Sequence, residues 1–323
     1  MTGHEDHESA TAPTSNRLPP TTPTFLSVGS LIIDDIVFKD GSLVEAQLGG
    51  GGVHALFGAR VHLPPPYSRF ACFIGKIGSD CPDSVIRKLD DIEVSLELRQ
   101  VESEQTPRAW NIFRGVEGGA GDEGTRDFKF RTSEESYATK FRILPADLPR
   151  PYLHPTPIKY VHFVISPTRL LSWLSSFRAL QQALSQTPPT TKPYVVWEPS
   201  PASCTPQNWS SFLSACAETD LVSPNHEEIA DLIKGSEHEI NPSTNHNSIS
   251  DVIEMIFIIV TNLTQKSIPI PTICIRAGPR GCVIRNIHGK ITHLPSYISI
   301  LPLSSPLSTV VDVTGAGNAF LGG

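Results

Sequence analysis

Apolar runs, glycine-bearing turns and helical spacings follow one another in a repeating order along the chain. Residues 25–38 open apolar, bend at Gly29-Ser30 and continue apolar up to Asp34 and Asp35. Residues 48–60 run through four consecutive glycines into a helix start made of small residues. Residues 70–80 are apolar and end in a glycine turn, after which Val85, Ile86 and Leu89 take helical spacing over 82–89. Strand, turn and helix in that order predict a parallel sheet with crossover helices. The rhythm returns with strands over 160–165, 194–197 and 220–222 and helices over about 168–186, 207–218 and 251–263. Strands over 272–276 and 282–285 follow, joined by a turn through Gly278 and Gly281.

Residues 93–131 break the rhythm. Val94, Leu96 and Leu98 alternate with polar residues, as do Phe128 and Phe130, and the stretch 115–124 between them is rich in glycine and acids. This predicts an antiparallel flap with a mobile tip, a small β lid within about 93–131. Residues 1–24 are polar, with no apolar centre, and predict a disordered tail rather than a signal peptide. The expected architecture is α/β: three αβα layers over 25–323 with a mainly parallel central sheet.

The chain has 323 residues, enough for one large α/β domain. A net charge of -7, with no stripe of Lys or Arg, argues against nucleic-acid binding. A membrane span needs about 20 apolar residues; the longest candidate, 252–260, is short and carries Glu254. The six cysteines show no metal-ligand spacing, so the expectation is free thiols in the reducing cytoplasm.

Candidate chemistry concentrates near the carboxyl end. In Val310-Val311-Asp312-Val313-Thr314-Gly315-Ala316-Gly317-Asn318-Ala319-Phe320 an apolar strand runs into a small-residue turn and a helix start. Such a turn lets backbone N–H groups converge on an anion at the positive end of a helix. Asn318 is the first side chain able to reach reacting atoms there. This stretch resembles the second signature of the ribokinase-like, or PfkB, carbohydrate kinases, Asp-Thr-x-Gly-Ala-Gly-Asp. Asp312, Gly315, Ala316 and Gly317 match; Val313 stands in place of the usual Thr, with Thr314 following it. Asn318 stands where the family's aspartate removes the proton of the substrate hydroxyl.

Other segments agree in order, over roughly 25–323. Gly49-Gly50-Gly51-Gly52-Val53-His54 resembles the first signature, with His54 where an Asn is common. Asp34 falls where a carboxylate binds sugar hydroxyls. The resemblance therefore implies a substrate site at Asp34, Gly50, Gly51 and His54; the plain alternatives are a solvated strand-end charge for Asp34 and a helix-start polar residue for His54. Asn225-His226-Glu227-Glu228 resembles the Asn-x-x-Glu motif that holds the water shell of Mg²⁺, or else is an N-cap with a first-turn acid. Gly278 and Gly281 match a nucleotide-side turn, with Arg276 in place of Thr, or form an ordinary hairpin. Asp312 and Thr314 fall on the same nucleotide side. Thr106 to Asn111 and the stretch after Arg126 fit the family's lid, and look nearest to a fungal subgroup, the maintenance-of-killer PfkB-like proteins.

The resemblance implies ATP-dependent phosphoryl transfer to a hydroxyl of a sugar or small polyol, with Mg²⁺, room for a monovalent cation, and a fold family in which homodimers form through the lid. Asn cannot take a proton. A missing base costs about 10²–10⁴-fold, or about 3–5 kcal/mol of barrier. The expectation is an impaired kinase; the alternative is a pseudo-kinase that binds nucleotide or sugar and acts through partners. The sequence stops about one helical turn after the cradle, where an anion-binding helix would run ~10–15 residues. That predicts a domain truncated at its C-terminus, on the adenine side.

Overall fold

Alternation along the short strand β1 (Phe25–Val28) sorts the core into two faces, because successive side chains leave a strand on opposite sides. Leu26 and Val28 join one buried cluster, and Phe25 joins another. The computed structural model describes residues 23–38, 40–114, 125–153, 158–184, 192–236, 248–296 and 316–323. Nearly all of the expected tail, the tip 115–124, and Asp312, Thr314 and Gly315 lie outside them. Thr24 already bonds the neighbouring strands on both sides, through Phe70 O and Tyr160 N, each at 2.9 Å.

In chain order the elements are β1, β2 (Ile32–Val37), β3 (Leu43–Gly49), α1 (Gly51–His62), β4 (Ala71–Gly78), α2 (Asp83–Asp91), β5 (Ser95–Val101), β6 (Arg108–Arg114) and β7 (Thr125–Phe130). Two short helices follow, α3 (Glu134–Ser136) and α4 (Arg150–Leu153). Then come β8 (Tyr160–Ile165), α5 (Pro167–Leu184), β9 (Tyr194–Pro199), α6 (Trp209–Cys216), β10 (Leu221–Val222), α7 (His226–Ile233) and α8 (Ile249–Gln265). The last are β11 (Thr272–Arg276), β12 (Cys282–Arg285), β13 (Ile291–Leu294) and α9 (Ala316–Gly322).

The large sheet has the order β13-β12-β11-β10-β9-β8-β1-β4-β5. From β11 to β5 all neighbours are parallel, and β12 and β13 close one edge antiparallel. On one face Leu26, Ile74, Phe163, Trp197 and Ile275 pack with residues of α5, α6, α7 and α8. On the other, Phe25, Phe73 and Ala71 pack with Val53, Leu56 and Ala59 of α1 and Val85 and Leu89 of α2. The three layers expected from the sequence are present.

The lid is a second sheet, ordered β3-β2-β6-β7. It differs from the expected flap in two ways. β5 belongs to the large sheet, as its edge strand beside β4; its alternation records one-sided exposure at an edge. β2 and β3 supply half of the lid, and β2 pairs parallel with β6 while the other lid pairs are antiparallel. The apolar run of β2 hid this membership, because five of its six residues are buried. Asp80 ties the two sheets together, accepting from Thr106 N at 2.6 Å and pairing with Arg108 Nη2 at 3.2 Å.

Helix α9 lies along α1, and glycines let the backbones touch. A Cβ on Gly58 would collide with Ala319 O, and one on Gly322 with Ala55 O. Gly58→Val is expected to cost about 1–3 kcal/mol by overpacking. Urea unfolding measures it; an unchanged midpoint would mean that α9 does not rest on α1.

Candidate functional site

β4 flanks β1 on one side and the later strand β8 flanks it on the other, so the strand order reverses there. Open α/β sheets bind ligands in the crevice at the carboxyl ends of the strands flanking such a reversal. The chain leaves β1 through Gly29-Ser30, and α1 starts against that bend. Ser27 Oγ donates to Gly52 O at 2.8 Å. Gly50 caps α1 with φ 99°, a conformation that favours glycine, and a Cβ there would run into Ser30 O.

The residues expected on the substrate side gather around this bend. Asp34 is buried on β2, and a Cβ on Gly49 would collide with its carboxylate. Asp35, facing the other way, accepts from Ala46 N at 2.8 Å and pairs with Arg131, whose guanidinium lies 4.6 Å over the Trp110 ring. Of the two adjacent aspartates, Asp35 is thus committed to the lid. His54 turns back on its own helix: its Nδ1 lies 3.0 Å from Gly50 O, so the helix-start alternative describes it well. A Cβ on Gly51 would stand 3.3 Å from Asn318 Nδ2 and 2.9 Å from Val164 Cγ2. The glycine bend and Asn318, far apart in sequence, therefore meet.

Asn318 is held by residues that sequence reasoning missed. Its Nδ2 donates to Glu198 Oε2 at 2.9 Å. Glu198, at the carboxyl end of β9, is 1% exposed, so every partner matters. His162 Nε2 lies 2.7 Å from Glu198 Oε1, and Arg276 Nη1 lies 2.9 Å from Glu198 Oε2. Burial pushes the Glu198 carboxyl up, but Arg276, then His162 and Asn318, outweigh it and hold its pKa below the ordinary value. The available signal was a single polar residue within each apolar strand: His162 in β8 and Glu198 in β9. Arg276, at the end of β11, also donates from Nη2 to Ser223 O at 3.0 Å. A Cβ on Gly317 would collide with Arg276 Nη1, so glycine there lets the guanidinium lie against the turn. Ala316 precedes it as the first residue of α9. Gly278 and Gly281 shape the turn from β11 to β12; both have positive φ, and a Cβ on Gly281 would meet Leu294 O.

Asn225 and Glu228 spend their facing groups on each other. Asn225 Oδ1 accepts from Glu228 N and Glu228 Oε2 accepts from Asn225 N, each at 2.8 Å, a reciprocal cap on α7. Arg276 Nη2 approaches Glu228 Oε2 to 3.7 Å. Magnesium asks for oxygen ligands with room for its waters. Here a fixed guanidinium serves the carboxylate, and among the described residues no group of three His, Cys, Asp or Glu could hold a metal. These residues offer Mg²⁺ no direct pair of ligands, because Asn225 Oδ1 and Glu228 Oε2 already accept backbone N–H groups.

Burial pushes the Glu228 carboxyl up to about 7, against the opposing pull of Arg276. The folded chain thus holds a proton that the unfolded chain has released above pH ~4.5. Stability is expected to fall as pH rises from 5 to 8, on the order of 1–3 kcal/mol. Glu228→Gln should flatten that slope in denaturant titrations; an unaltered slope would assign the dependence elsewhere.

No family model matches the chain. Ribokinase of Cryptococcus neoformans var. grubii serotype A, solved with ADP, matches with a TM-score of 0.63 at 19% identity, over 93% of this chain and 85% of that one. The chain has the ribokinase fold. An Escherichia coli protein of this fold, solved with ATP and Mg²⁺, matches at a TM-score of 0.57 and 15% identity, over 93% and 84%. Fructokinase of Vibrio cholerae O395, bound to fructose, ADP and calcium, matches at 0.57 and 18%, over 93% and 82%. By sequence the chain is similar to two fungal proteins. An uncharacterized protein of Schizosaccharomyces pombe is 26% identical over 92% of this chain and 76% of its own length. Protein MAK32 of Saccharomyces cerevisiae is 25% identical over 91% and 76%. The fungal maintenance-of-killer resemblance read from the motifs agrees with the second of these, and the ribokinase-like resemblance with the solved structures. Glu198 and Arg276 stand at the carboxyl ends of the parallel strands β9 and β11; among the described residues, no helix is long and apolar enough to cross a membrane.

Proposed function

We propose that this chain is a carbohydrate-kinase-like protein that binds ATP and a small polyol and transfers phosphate slowly. The observation that carries the reading is the approach of Gly51 to Asn318 beside the reversal of strand order. The polyol would lie between Asp34 and the glycine bend, where a carboxylate accepts hydroxyl protons. The phosphates would lie over Ala316, Gly317 and the turn through Gly278 and Gly281. Phosphoryl transfer rests mostly on positioning and electrostatics, so the fold can support it without a strong base. Asn318 orients the attacking hydroxyl: its Nδ2 is committed to Glu198, leaving Oδ1 as the acceptor. Glu198 is a poor replacement base, because its partners favour the ionised form.

Calorimetry with ATP, followed by a sugar panel and a phosphate-transfer assay, tests this reading. Binding of ATP with transfer at least 10²-fold below a kinase bearing aspartate at this position is expected. Binding of ATP with no transfer to any polyol would favour the pseudo-kinase reading, which the commitment of Asn318 to Glu198 supports. Failure to bind ATP overturns both. Homodimerisation through the lid, whose Leu43, Val44 and Phe128 are exposed, belongs to the proposal and is checked by sedimentation. A cytoplasmic setting fits the free cysteines, five of them buried.

A further inference from the structure

Beside the glycine bend, at the carboxyl ends of β1 and β8, a small, partly open cleft is lined by Gly29, Ser30, Val164, Trp173, Arg142 and Arg169. The two arginines are unusual for such a place. Neither forms an ion pair among the described residues, whereas Arg276 and Arg131 each have a carboxylate. Arg142 Nε is buried with no hydrogen-bond partner there, and the Arg142 guanidinium lies 6.0 Å over the Tyr137 ring. Burial, and then the charge of Arg142, push the pKa of Arg169 down to about 10. Each guanidinium thus raises the electrostatic cost of the other, and the chain supplies no described anion to offset it. The Ser30 hydroxyl, bonded to the Tyr137 hydroxyl, adds a polar group at the same wall.

We propose that the cleft receives the anionic group, a phosphate monoester or a carboxylate, of the polyol substrate. Planar guanidinium groups suit both anions, since their paired donors match paired oxygens. The place is right as well: Val164 lines this cleft and also faces Gly51, which faces Asn318, so an anion here would stand beside the polyol hydroxyls and not over the nucleotide turn. The inference rests on the polyol-binding reading above, and narrows its substrate from neutral sugars to sugar phosphates and sugar acids.

The test is titration calorimetry of the full chain with matched pairs: ribose 5-phosphate against ribose, fructose 6-phosphate against fructose, and gluconate against glucose. ATP is titrated separately. At least one anionic member is expected to bind ten times or more tightly than its neutral parent, with the preference lost in Arg142→Gln and Arg169→Gln. Both variants should bind ATP within twofold of the wild type. Without ligand, each variant should melt at or above the wild-type temperature, because removing one charge relieves the other. Equal binding of neutral and anionic members, or an anion preference that survives both substitutions, overturns the inference while leaving the polyol reading in place. A loss of ATP affinity in both variants also overturns it, by assigning the arginines to the nucleotide. If ATP and every sugar fail to bind the wild type, the broader reading falls with it.

Discussion

Asn318→Asp, made alone, is expected to destabilise the protein by about 2–4 kcal/mol rather than to restore a base. Glu198 Oε2 accepts a hydrogen bond from the Asn318 amide at 2.9 Å, and an ionised aspartate has nothing to donate. Two carboxyl groups at that separation in a buried site cannot both ionise, so one keeps a proton and its pKa rises. The new residue then carries or shares the proton it was meant to remove. The sign with pH follows. A carboxyl whose folded pKa is raised costs nothing below its unfolded pKa, and its penalty grows as pH climbs through the folded value. Calorimetry should therefore show a larger deficit against wild type at pH 8 than at pH 5. Asn318→Asp combined with Glu198→Gln is expected to recover most of the loss, because the amide put in place of the Glu198 carboxylate can donate to the new aspartate, and Arg276 keeps a carboxylate nearby. In the double variant the aspartate is free to act, and phosphate transfer should rise about 10²-fold or more over wild type. A single variant that is as stable as wild type across this pH range, and active, would refute the role given to Glu198.

The coupling between residues 198 and 318 marks where reading the sequence reached its limit. Glycine and order-of-segment signals are local: the tetraglycine bend, the turn at 278–281 and the Gly-Ala-Gly stretch each announce a backbone shape within a few residues. Their shared order was enough to predict the layers, the parallel sheet and the likeness to PfkB kinases. Asp34 and Asn318 came forward as candidates for the same reason. Glu198 and His162 were not, since a single polar residue in an apolar strand is ambiguous until the neighbouring strand is known; the β8–β9 register, with Val164 opposite Glu198, puts them on one face. Asn225 and Glu228 illustrate the converse. Their spacing fits a metal motif and a helix cap equally, and the arrival of Arg276 from β11 is a tertiary fact that three-residue spacing cannot contain. The lid was half legible: β6 and β7 alternate, whereas β2 is buried on both faces and reads as a core strand.

Arg276→Ala should be the most damaging single substitution in the site, at about 3–5 kcal/mol, because it strands a buried charge. Arg276 answers Glu198 at 2.9 Å, Ser223 O at 3.0 Å and Glu228 at 3.7 Å, partners at the end of β9, just after β10 and in the first turn of α7. Lysine keeps the charge but offers one compact ammonium in place of a fork, so Arg276→Lys should lose about 1–2 kcal/mol. If the loss in the alanine variant comes from the uncompensated carboxylate, Arg276→Ala with Glu198→Gln should be more stable than Arg276→Ala alone; additive losses in denaturant unfolding would sink that explanation. The same variants decide the metal question without an activity assay. In the wild type the guanidinium already neutralises the acids, so millimolar Mg²⁺ should leave the melting temperature of the ligand-free protein unchanged. With the guanidinium gone, Glu198 loses its counter-ion and stands near a Glu228 carboxyl whose proton a metal ion can displace, and Mg²⁺ should raise the melting temperature of Arg276→Ala. Stabilisation of the wild type by Mg²⁺ to the same extent would mean that the ion reaches Glu228 past the guanidinium, and would return Asn225 and Glu228 to the metal role that their spacing suggests.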